Sequence, residues 1–85
     1  MKSFEYTIKN PAGIHARPAG TLVRTAERFK SDITAEKDSK KVSLKKLIEL
    51  MRMSAAQNDT LRVLIDGEDE AEAFEAMKTV FEENL

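Results

Sequence analysis

Fourteen Lys and Arg against fifteen Asp and Glu give this chain a formal net charge of −1, too balanced for bulk affinity toward nucleic acid or an anionic membrane. Its 85 residues suffice for one domain, 1–85, with a two-layer core, and are too few to enclose an active-site cavity. Cysteine is absent and histidine occurs once, which excludes disulfides and thiol chemistry and leaves no zinc set, so no metal and no other cofactor is expected.

Met1-Lys2-Ser3-Phe4-Glu5 has no apolar run of signal-peptide length. No stretch nears the roughly 18 apolar residues of a membrane span, so a cytoplasmic protein without membrane insertion is expected. Phe4, Tyr6 and Ile8 alternate with Glu5, Thr7 and Lys9, the period of a half-buried strand. Asn10-Pro11-Ala12-Gly13 breaks it. From Ala16 to about Phe29 the apolar residues Ala19, Leu22, Val23, Ala26 and Phe29 follow helical spacing. A strand around Ile33 and Ala35 turns at Asp38-Ser39 into a third short strand holding Val42. Ser43 then reads as the cap of a second helix, Leu44 to Met53. Leu61, Val63 and Ile65 alternate as a fourth strand ending in the turn Asp66-Gly67. Asp69 and Glu72 have the spacing of a reciprocal cap for a last helix whose stripe is Phe74, Met77 and Phe81, with Ala73 and Val80 beside it. The order β-α-β-β-α-β-α predicts an α+β fold, one antiparallel sheet with its helices on one face.

The second helix is too apolar for one buried stripe: Leu44, Leu47, Ile48, Leu50, Met51 and Met53 fall in ten positions. We expect an exposed patch for partners, with Ile48 and Met51 among its members.

The richest segment is Gly13-Ile14-His15-Ala16-Arg17-Pro18-Ala19. A lone histidine ahead of a helix is usually an ordinary surface residue, but here its neighbours serve one reaction. Glycine permits a sharp turn, and proline suits a first helical turn, where a missing N–H costs nothing. With His15 at the cap, the free N–H groups of Ala16 and Arg17 and the positive end of the helix dipole would favour an anion beside its ring. Neutral imidazole is a fair nucleophile, and the Arg17 guanidinium can fork onto two phosphate oxygens. These parts describe a phosphohistidine site.

This segment, with the looser Val42-Ser43-Leu44-Lys45-Lys46-Leu47-Ile48, resembles HPr, the histidine-containing phosphocarrier family of the bacterial phosphoenolpyruvate-dependent sugar phosphotransferase system, over essentially the whole chain. The resemblance implies an open-faced β-sandwich of four antiparallel strands with three helices on one face. It implies that enzyme I phosphorylates Nδ1 of His15, that Arg17 is the charge partner, and that IIA domains of sugar permeases receive the group. It also gives a docking role to Leu47, Ile48 and Met51, rimmed by Arg24, Lys45, Lys46 and Arg52. Such a carrier is not itself an enzyme, and a monomer is expected. Three positions depart from the family pattern. Lys46 stands where many relatives have a serine modified by a regulatory kinase, Ala12 where serine or asparagine is common, and Ser54 where glycine is common. The alternatives are a regulatory binding protein built on the same fold, or a carrier for a specialised nitrogen-linked or operon-specific branch. A nucleic-acid binder is disfavoured, because the strands lack an aromatic stacking platform.

Overall fold

Alternation builds the sheet. A computed structural model describes all residues, Met1–Leu85. The strands β1 (Lys2–Thr7), β2 (Asp32–Lys37), β3 (Lys40–Ser43) and β4 (Thr60–Asp66) pair antiparallel in the order β1-β4-β2-β3. The register sets Phe4 opposite Val63, and Ile33 and Ala35 opposite Ile65 and Val63, so one face is continuously apolar. Ile33, Ala35, Leu61, Val63 and Ile65 are buried there, while Glu5, Asp32 and Arg62 on the other face meet solvent.

Three helices cover the apolar face: α1 (Ala16–Ala26), α2 (Leu47–Arg52) and α3 (Glu70–Asn84). The α3 stripe buries Ala73, Met77, Val80 and Phe81. Phe4 meets Phe74 and Phe81 edge-on at 5.6 and 5.5 Å, and Tyr6 meets Phe81 at 5.6 Å, which fixes α3 over β1. The architecture is the expected α+β open-faced sandwich.

Three local expectations are corrected. The first helix ends at Ala26, because the Arg28 and Phe29 amides reach back only three residues, to Thr25 and Ala26, and the spiral tightens. The second begins at Leu47, not Leu44, and its cap is Lys46, not Ser43. The Leu44 amide is held by the Ile33 carbonyl at 2.8 Å, prolonging the sheet, and the Ser43 hydroxyl accepts the Lys45 amide in a turn before the helix.

Asp69 does cap α3 by position, but the box with Glu72 does not form. Its carboxylate reaches across the molecule, accepting the Lys30 amide, the Ser31 amide and the Ser31 hydroxyl at 2.9, 2.9 and 2.5 Å. Glu70 closes the turn instead, taking the Gly67 amide at 3.1 Å. The Ser31 hydroxyl first, then the Lys30 amide, hold the Asp69 carboxyl down from 3.8 to about 2. Its folded value lies below its unfolded one, so the stability it contributes is complete above pH 3.8 and is lost as pH falls toward about 2. Asp69→Asn should therefore lose stability less steeply than the parent across that interval. Urea unfolding at successive pH values checks this, and parallel profiles would refute it.

Candidate phosphohistidine site

The histidine is presented by a loop with little freedom. Asn10 organises its first half: its side-chain carbonyl accepts the Ala12 amide and its backbone carbonyl the Gly13 amide, each at 2.9 Å. The Lys9 and Asn10 amides donate to the Leu85 carbonyl at 2.6 and 2.8 Å, tying the loop to the end of α3. Gly13 adopts φ +66°, and a Cβ there would lie 2.5 Å from the Ala55 carbonyl oxygen. Next along, the Ile14 amide donates to that same oxygen at 3.1 Å, while the Ile14 side chain enters the core.

His15 follows in extended conformation (φ −120°, ψ −175°) as the cap residue of α1, exposed to solvent. Its carbonyl accepts the Ala19 amide at 2.9 Å, yet its side chain makes no capping bond. The Ala16 and Arg17 amides have no acceptor within the protein, and Pro18 contributes no donor. Two free N–H groups thus mark the positive end of α1 next to His15 in the chain, and no acidic residue occupies that first turn. Arg17 is exposed and takes part in no ion pair. The arrangement offers the chemistry of an anion site: an exposed imidazole, two unpartnered backbone donors and an unpaired guanidinium two residues on.

The apolar excess of the second helix resolves into two sets. Leu44, Leu50 and Met53 are fully buried, whereas Leu47, Ile48 and Met51 are 39%, 63% and 39% exposed. Lys46 and Arg52 stand exposed at the two ends of α2, with Lys46 loosely paired to Glu49 at 3.9 Å. The chain leaving α2 at Arg52 soon reaches Ala55, whose carbonyl accepts the Ile14 amide, so α2 runs into the support of the histidine loop. Arg24 folds back along α1, donating to the Thr21 hydroxyl at 3.3 Å. Lys45 departs from the expected rim. Its ammonium donates to the Phe29 carbonyl at 2.7 Å, beyond the end of α1 opposite His15, so its charge is engaged there.

The supports of the loop, Asn10, Ala55 and Leu85, were not singled out from sequence. Only Asn10, ahead of Pro11, carried a turn signal; the other two act through backbone carbonyls, which any residue possesses.

A family model described as the PTS HPr component phosphorylation site matches residues 2–83. The phosphocarrier protein HPr of Mycoplasma genitalium is 41% identical over 85 residues, covering 99% of this chain and 97% of that protein. The crystal structure of HPr-C-His from Thermoanaerobacter tengcongensis superposes with a TM-score of 0.93 at 39% identity, covering 99% and 94% of the two chains. An HPr dimer from the same organism matches with a TM-score of 0.78 at 40% identity, covering 98% and 95%. The chain belongs to the HPr family of phosphocarrier proteins.

Proposed function

We propose that His15 accepts a phosphoryl group from phosphorylated enzyme I in the cytoplasm and passes it to IIA domains of sugar permeases. One observation carries this reading: an exposed imidazole at the cap of α1 beside two amides with no partner in the protein. Phosphoryl transfer needs alignment and charge stabilisation more than acid-base groups. Nδ1 of His15 attacks phosphorus as the bond to the donor's nitrogen breaks in line, and the reverse geometry delivers the group onward. The Ala16 and Arg17 amides and the Arg17 guanidinium stabilise the equatorial oxygens during the passage. No cavity is required, because each partner supplies half of the site. Leu47, Ile48 and Met51 form the contact, and Arg24, Lys46 and Arg52 steer encounter with an acidic partner face. Since Lys46 has no hydroxyl, the carrier takes its input through histidine and not through a serine kinase at that position.

Incubation with enzyme I and phosphoenolpyruvate, followed by intact-mass measurement, tests the reading. The native chain should gain one phosphoryl group that acid removes, and His15→Ala should gain none. An equal gain in His15→Ala, or no gain in the native chain, would end the proposal.

A further inference from the structure

Beyond the histidine loop, the segment between α2 and β4 carries an arrangement with no evident part in docking. Residues 54–59 form a tight loop with left-handed backbone at Ser54 (φ 55°) and Asn58 (φ 76°). Asp59 closes it from within: its carboxylate accepts the Ala56 amide at 2.8 Å, and its own amide returns to the Ala56 carbonyl at 3.0 Å. Lys37, the last residue of β2, reaches in half-buried. Its ammonium bonds the Asp59 carboxylate at 3.0 Å and the Ser54 carbonyl at 3.4 Å, so one cation joins both ends of the loop. The Ala56 amide and then Lys37 hold the Asp59 carboxyl below its usual range, in keeping with a persistent pair.

What the loop holds is the histidine. Ala55 lies between the two clasped ends, and its carbonyl receives the Ile14 amide and abuts Gly13. The Ile8 amide donates to the Asp59 carbonyl, the Asn58 amide to the Ile8 carbonyl, and Gln57 to the Lys9 carbonyl. One peptide therefore separates His15 from a hydrogen bond whose acceptor is set by a loop that Lys37 ties shut.

We propose that Lys37 and Asp59 are positioning residues for His15, acting as a clasp that fixes the Ala55 carbonyl and, through Ile14, the approach of the imidazole. This inference rests on His15 being the phosphoryl acceptor, and it assigns to the reaction two side chains that contact the loop of residues 54–59 and not His15 itself. In-line transfer tolerates little misplacement, so loosening the clasp slows transfer without weakening docking.

Lys37→Met keeps the packed stem and removes the ammonium. With enzyme I as donor, its maximal rate of phosphoryl acceptance should fall about tenfold at an unchanged half-saturating concentration. Lys37→Arg should restore most of that rate. Asp59→Asn, which still accepts the Ala56 amide, should act similarly, and the Lys37→Met/Asp59→Asn pair should be no slower than either single variant. In the free proteins, the Ile14 amide and His15 ring resonances should move in Lys37→Met while those of α3 stay in place. Unmoved Ile14 and His15 resonances, strictly additive rate losses, or failure of Lys37→Arg to rescue would overturn the clasp. If the parent chain accepts no phosphoryl group, the proposed function fails, and the resonances, read without phosphate, still decide the clasp.

Discussion

Gly13→Ala is expected to destabilise the protein by about 2–4 kcal/mol and to slow phosphorylation of His15 in what remains folded. The backbone at Gly13 has φ +66°, where a β-carbon is strained whatever the space around it. Space is lacking as well. The added methyl would meet the Ala55 carbonyl oxygen at 2.5 Å and the Ala56 Cα at 2.9 Å. Those atoms cannot easily give way, since the same carbonyl receives the Ile14 amide. Relief must come from displacing the histidine loop, so stability and transfer should suffer together. Gly20→Ala is the control: within α1, its methyl would meet only the flexible end of Arg24 at 3.3 Å, and alanine is the better helix former. Denaturant unfolding of both variants checks the contrast. An unperturbed Gly13→Ala would mean that the approach to Ala55 is not tight.

Ile48→Asp should weaken binding to enzyme I by about 2 kcal/mol or more, because it sets a carboxylate in the apolar centre of the proposed contact. Ile48 is 63% exposed, so removing it opens no cavity, and the thermal midpoint should hardly move. Calorimetric titration against enzyme I, with thermal unfolding in parallel, separates the two effects. Loss of fold would return Ile48 to the core. Unchanged affinity with an intact fold would move the docking site away from α2.

The sheet was legible in the sequence because alternation is a local signal: Phe4 and Tyr6, Ile33 and Ala35, and Leu61, Val63 and Ile65 all declared their inner face within a few residues. The geometry of the His15 segment was legible for the same reason, its turn, exposed histidine and helix start being contiguous. Errors arose wherever a local pattern met a distant partner. Leu44 and its neighbours read as helix until the Ile33 carbonyl claims the Leu44 amide. Asp69 had the spacing of a cap box, but three donors at Lys30 and Ser31 outcompete one amide of its own helix. Lys45 looked like a free surface charge until the Phe29 carbonyl takes its ammonium. The clasp of Lys37 and Asp59 left no trace at all, since no pattern along the chain pairs a strand end with a loop on the far side of a helix.

The strand order has a consequence in time. During folding β1 must wait for β4, opposite which Lys2 lies against Ile65. The loop after β1 waits longer still, for Asn84 and Leu85. Pairings between such distant segments form late and cooperatively. The backbone that presents His15 is therefore complete only when these distant segments have come together. Order at the histidine then reports on the whole fold and not on its own segment alone.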